Sequence, residues 1–348
     1  MIRFGLCCIF IEQPIKFRTT TATHLLKKSR PEQLAKLSEL CLENARSLLA
    51  AFEFCAAAGI GCFRINSQIL PLKTHPTVGY AVGDLPAGQQ IVDAFKQCGN
   101  FLKKNNLRAS LHPDQFVVLN SPRAEVVASS IAEIEYQAEV AGWVGADVIN
   151  IHAGGGYGDK PAALERFKEG FKSLSASARK LVTLENDDKI FTPADLLPLC
   201  EEMRIPLVYD VHHHRVLPDG MSIGQATAAA LKTWNREPLF HLSSPLNGWG
   251  GPQPQQHHDY IDPADFPAEW RHLQITVEVE AKAKELSIMR LMADLGLKKG
   301  SVTLKNAKHD PGEGDVKNHH QRQKKHDTDH VERDAKIHQK NQKVAKHK

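Results

Sequence analysis

Eight short runs rich in β-branched and apolar residues recur along the chain, separated by longer stretches with helical periodicity. The strand-like runs are Phe4–Phe10, Cys62–Ile65, Arg108–His112, Asp147–His152, Leu181–Asn186, Pro206–His212, Leu239–Ser244 and Leu273–Glu280. The helical stretches are Glu32–Ala58, Gly88–Asn105, Arg123–Gly145, Ala162–Lys180, Pro193–Met203, Ile223–Arg236 and Ala281–Leu295. Alternation of this kind predicts an α/β fold with a parallel sheet and helical crossovers. Eight repeats predict closure into a (β/α)8 TIM barrel, with an open doubly wound sheet as the alternative. Two irregular segments, Asn66–Gly88 and Pro245–Phe266, follow the second and seventh runs and are expected to overhang the barrel mouth.

Seven of the runs end on, or just before, residues suited to metal or phosphate: Arg64-Ile65-Asn66, His112, His152, Glu185, Asp210 with His213, His241, and Glu280. The strands of a parallel barrel all point their C-terminal ends to one face, so these side chains are expected to converge. A lone strand-end histidine is more often a satisfied core residue, but one coincidence repeated over so many strands is a poor account of the pattern. Glu185 stands inside its strand, where a buried carboxylate needs a cation or a donor. Asp187 and Asp188 behind it read as helix-capping residues. Asp210 followed by His212, His213 and His214 suits Mn, Zn or Fe, with at least one of the three imidazoles read as surface decoration. The turn His152-Ala153-Gly154-Gly155-Gly156-Tyr157-Gly158-Asp159-Lys160 is either a plain flexible turn or a phosphate-approaching one, with Lys160 adding charge.

Composition narrows the setting. With 348 residues and 42% hydrophobic content, the chain is long enough for one barrel plus extra segments. Seven scattered cysteines, none spaced C-x-x-C, point to a reducing compartment and away from a disulfide framework or cysteine zinc site. No apolar run is long enough to span a bilayer, so no membrane partner is expected and the cytoplasm is the default location. Residues 301–348 carry 12 Lys/Arg against 7 Asp/Glu, lack aromatics and have few apolar residues. That composition predicts a disordered basic tail, giving a catalytic barrel over residues 1–297 and a tail over 298–348.

Several of these segments together match a known pattern. His112-Pro113-Asp114-Gln115, Ile151-His152 with Gly155-Gly156-Tyr157-Gly158-Asp159-Lys160, Leu184-Glu185-Asn186-Asp187-Asp188, Asp210 with His213, His241-Leu242-Ser243-Ser244 and Glu280-Ala281-Lys282-Ala283-Lys284-Glu285 resemble the UV damage endonucleases. Phe63-Arg64-Ile65-Asn66-Ser67 adds to the match, which runs in order over about residues 1–297. That family has a β/α barrel related to endonuclease IV and the xylose isomerase-like enzymes. The resemblance implies a hydrolase that nicks damaged double-stranded DNA 5′ to UV photoproducts with a cluster of two or three divalent metals, typically Mn2+. The sequence does not set the oligomeric state; a monomer is expected because a lesion binder of this kind works well as one. The resemblance implies metal ligation by His112, His152, Glu185, Asp210, His213, His241, His257 and Glu280, with His258 competing for the place of His257. Glu185, Asp210 and His241 are the catalytic candidates, with Glu185 as a bridging carboxylate. Gln115 and Phe116 resemble the pair that enters the duplex at the lesion; Arg64, Asn66, Tyr157 and Lys160 are further DNA-binding candidates.

Three positions depart from the family pattern. Phe116 stands where Tyr is frequent, and Leu6 follows Gly5 where an aromatic is frequent. Leu239 replaces a common Lys two positions before His241 and, by strand parity, is expected to face the same site. The competing readings are a metal-dependent sugar isomerase on the same barrel, an abasic-site endonuclease, and a non-catalytic DNA-binding protein.

Overall fold

Parallel pairing dominates the computed structural model, which describes residues 2–297. Among these residues eight strands form one sheet: β1 (Arg3–Cys7), β2 (Cys62–Ile65), β3 (Arg108–Leu111), β4 (Val148–His152), β5 (Val182–Glu185), β6 (Leu207–Val208), β7 (Leu239–Leu242) and β8 (Thr276–Val279). Their order is β6-β5-β4-β3-β2-β1-β8-β7. The remaining gap is bridged where the His241 amide donates to the Tyr209 carbonyl at 3.1 Å and Asp210 pairs in parallel with His241. The barrel thus closes, and the open-sheet alternative is set aside. The tail predicted over residues 298–348 lies outside the described residues.

The helices follow the predicted crossovers, with local differences that have physical causes. The stretch read as one helix over 162–180 is two, Lys160–Lys172 and Ala176–Leu181. Ser175 caps the second, accepting from the Ala178 amide at 3.1 Å while its own amide donates to Glu135. The run over 206–212 is strand only at Leu207–Val208, because Asp210 caps the helix Val211–Val216 by accepting from the His213 amide at 2.8 Å. The Asn66–Gly88 segment, which follows β2, is anchored on the helices around it. Ile69, Leu70, Val78 and Tyr80 are buried, and Asn44 Nδ2 and Tyr136 Oη donate to the carbonyls of Ile69 and Ser67.

Inside the barrel the side chains stack in levels. Val148, Val208 and Leu239 form an apolar floor against Trp234, beside an Arg108–Thr276 hydrogen bond of 2.9 Å that crosses from β3 to β8. Leu239 faces inward as strand parity predicts, but it lies in the floor, a level below His241, and not in the site itself. Ser110, Asn150, Thr183 and Glu278 make a polar middle level. The charged and imidazole side chains form the top. Leu6 is fully buried, so it offers no contact to anything outside. Among the described residues no helix is long and apolar enough to cross a membrane.

Candidate metal centre

Glu185, the last residue of β5 and only 1% exposed, is the hub of the top level. One carboxylate oxygen, Oε2, lies 3.1 Å from His112 Nε2 and 3.7 Å from His152 Nε2. The other, Oε1, lies 3.1 Å from His241 Nδ1 and 3.3 Å from His213 Nδ1. Asp210 Oδ2 stands 3.5 Å from His213 and 3.8 Å from His241. Its backbone is held by Asn186, which accepts from the Asp210 amide and donates to its carbonyl. Glu280 Oε1 is 3.5 Å from His241 Nδ1, and its Oε2 is 3.8 Å from His257 Nδ1. The Pro245–His257 antiparallel bridge carries His257 inward, while His258 turns away and its Nδ1 accepts from the Tyr260 amide. All eight predicted ligand positions thus lie within one chain of close contacts.

Two triads, His112–His152–Glu185 and Glu185–Asp210–His241, have donor atoms within 4.8 Å of one another. Asp210 Oδ2, His152 Nδ1 and His241 Nε2 are buried without a well-formed hydrogen bond. Orphaned buried polar atoms are costly, and a mixed carboxylate and imidazole set suits Mn, Zn or Fe. The residues fit a divalent cation.

The electrostatics agree. Burial alone would raise the Glu185 carboxyl, but His241, His152, His112 and His213 outweigh it and hold it well below the usual carboxylate range. Burial likewise opposes ionisation of Glu280, and Arg64, His241 and His257 overcome it. Burial pulls the His213 imidazole down, yet Asp210 and Glu185 push it up to about 10. His152 is pulled down by burial. The centre is a concentration of anionic oxygens that holds positive charge.

The other predicted site residues lie in several settings. Phe116 is 68% and Tyr157 50% exposed, on the loops after β3 and β4. Gln115 is exposed beside Phe116. Asn66 turns its Oδ1 onto the Gln68 amide. Arg64 is buried, with Nη1 2.6 Å from Glu280 and 3.4 Å from Glu278, so it serves as an internal counter-ion. Lys160 pairs with Asp195 at 2.8 Å. None of the three successive histidines is surface decoration. His212 packs against Trp249 and His257, and His214 bridges Tyr209 and Asp219.

Comparison with known proteins decides the family. The family model described as UV-endonuclease UvdE matches residues 2–307. The chain belongs to the UvdE family. A UV DNA damage endonuclease of Bacillus velezensis is 34% identical over 317 residues, 86% of this chain and 96% of the relative. One from Bacillus cereus is 31% identical, covering 83% and 92%. The crystal structure of SacUVDE is similar with a TM-score of 0.75 and 30% identity, over 86% of this chain and 100% of that one. Endonuclease IV of Thermus thermophilus, at 15% identity, TM-score 0.54 and coverage of 84% and 97%, shares the fold. This UvdE chain is accordingly a DNA repair endonuclease on a TIM barrel, and the sugar-isomerase and non-catalytic readings fall away.

Sequence reasoning missed Glu278, Ser110 and Asn150, the middle level under the centre. The alternation Thr276-Val277-Glu278-Val279-Glu280 held the signal, because residues two apart share a strand face.

Proposed function

We propose that the chain hydrolyses the phosphodiester bond on the 5′ side of UV photoproducts in double-stranded DNA, leaving a 3′-hydroxyl and a 5′-phosphate. The observation that carries this reading is the position of Phe116, an exposed aromatic on the loop after His112, itself 3.1 Å from Glu185. His112, His152, Glu185, Asp210, His213, His241, His257 and Glu280 would hold two or three divalent cations, with manganese matching the oxygen and nitrogen donors. Bound there, the cations supply Lewis-acid polarisation of the phosphate and activation of water.

The protein's own part is orientation. Glu185 offers its two oxygens to two separate histidine pairs, which suits it to bridge cations. Asp210 is fixed by helix capping and by Asn186, so its free oxygen needs no rearrangement before binding. His241 is fully buried and bears on Glu185, Asp210 and Glu280 at once.

Gln115 and Phe116 enter the helix where the lesion has weakened stacking, since a damaged pair is extruded more easily than an intact one. Tyr157 offers a second aromatic surface, and Asn66 a polar contact. Arg64 and Lys160 are engaged by carboxylates and rank behind these as DNA contacts. The basic segment 298–348 adds sequence-independent phosphate contact. The enzyme works as a monomer in the cytoplasm, where its seven free cysteines stay reduced.

A duplex oligonucleotide carrying one photoproduct, beside the same duplex carrying one abasic site, tests this reading. The expected product is a single cut immediately 5′ to the photoproduct with a ligatable 3′-hydroxyl. Cutting of the abasic duplex alone would replace it with the abasic-site reading.

A further inference from the structure

Beneath the ligand cluster lies a buried carboxylate that is not itself one of the eight ligand candidates. Glu278, in the middle of β8, is 1% exposed. Its Oε1 accepts a short hydrogen bond from Ser110 Oγ across the barrel. Its Oε2 is 3.2 Å from His241 Nε2 and 3.4 Å from Arg64 Nη1. Arg64 does not depend on this contact, because Glu280 lies closer at 2.6 Å.

The neighbouring strand is cleared for it. Gly5 pairs with Glu278 in the β1–β8 register, and a Cβ on Gly5 would stand only 2.8 Å from the Glu278 Cγ. The glycine leaves space that is filled first by the Glu278 side chain and next by Cys62, whose Cβ would stand 3.3 Å from the added one.

His241 therefore has two differently occupied edges. Nδ1 faces Glu185, Asp210 and Glu280 at 3.1, 3.8 and 3.5 Å. Nε2 faces Glu278 alone among these carboxylates. The Nε2 contact is close but off the N–H line, leaving Nε2 without a well-formed hydrogen bond. A small ring rotation would align it, as contacts of this kind tighten when a site is engaged. A ligating histidine characteristically donates its other ring N–H to a carboxylate, which fixes tautomer and orientation.

We infer that Glu278 is the positioning residue of His241, holding the proton on Nε2 so that the Nδ1 lone pair is directed into the ligand cluster. This rests on the metal-centre reading above. Ser110 and Gly5 belong to the same device, one pinning the carboxylate and the other making room for it.

The test titrates the full-length protein, stripped with EDTA, with Mn2+ alone, reading free Mn2+ by electron paramagnetic resonance. Glu278→Leu, which removes the acceptor, is expected to weaken the affected site about 10- to 100-fold. Glu278→Gln, which keeps an acceptor oxygen without the charge, should recover most of that loss. Leu binding as tightly as wild type, or Gln as weak as Leu, would overturn the inference. Failure of the wild type itself to bind Mn2+ would instead overturn the metal-centre reading.

A second measurement needs the Leu variant neither to fold nor to bind. Long-range 15N spectra of the Zn2+-loaded wild type, with His241→Asn used to assign the ring, should show His241 protonated on Nε2. Protonation on Nδ1 would contradict the inference whatever the variants do. Gly5→Ala should shift the same resonance by displacing Glu278, and an unmoved resonance would count against it.

Discussion

Glu285 and Ile11 stand 274 residues apart in sequence, yet both oxygens of the Glu285 carboxylate lie 3.0 Å from the Ile11 amide. One of them also accepts from the Glu12 amide at 2.8 Å and the Gln13 amide at 3.3 Å. A fully buried side chain at the start of the last helix thus straps the loop that leaves β1. Hydrogen bonds to a charged group contribute about 1.5–3 kcal/mol. Glu285→Ala should lower unfolding stability by about 2–3 kcal/mol in urea titrations, with Glu285→Gln in between. An alanine variant as stable as wild type would show that the strap is incidental.

Phe116 makes the opposite kind of contribution. Asp114 shapes the turn that presents it, accepting from the Phe116 amide at 3.0 Å, and the ring stays largely in solvent. Phe116→Ala should change stability by less than about 0.5 kcal/mol. Loss of a base-stacking aromatic costs about 1–3 kcal/mol, or roughly 5- to 150-fold in affinity. Fluorescence anisotropy on photoproduct-containing duplex would read that drop, and Phe116→Tyr should keep wild-type affinity. Unchanged affinity in the alanine variant would remove Phe116 from the lesion interface.

Asp195 gives a pH dependence with a definite sign. Burial raises its carboxyl, but hydrogen bonds from Lys160 and Thr192 outweigh it and hold it below the ordinary aspartate range. A carboxylate lowered in the folded state contributes stability above its unfolded value, about 3.9, and loses it as pH falls through the folded value. The pair is partly exposed, so the effect is small, below about 1 kcal/mol. The stability gap between wild type and Asp195→Asn should therefore be widest near pH 6 and narrow toward pH 3. Thermal melts across that range would show it; a constant gap would assign the loss to packing instead.

The strand ends were legible because a parallel barrel turns a sequence period into a shared direction. His112, His152, Glu185, His241 and Glu280 needed only that rule to be placed together. Arg64 did not yield to it. Its position was readable, but its partners Glu278 and Glu280 come from the far end of the chain, so its counter-ion role was hidden. Leu239 obeyed strand parity but sits a level lower, since parity gives the face and not the height. The Asn66–Gly88 segment lacked periodicity, and its anchors on Asn44 and Tyr136 are tertiary contacts that no local pattern announces. His257 was separable from His258 only by the bridge to Pro245, which rotates one inward and the other into a turn.

The buried cluster is expected to work through divalent metal on damaged DNA. The most direct measurement is nicking of supercoiled plasmid, UV-irradiated beside unirradiated, with Mn2+, with EDTA, and with Glu185→Gln. Nicking is expected of the irradiated plasmid alone, abolished by EDTA and lost in the variant. Equal nicking of both plasmids, or nicking that survives EDTA or Glu185→Gln, would contradict it.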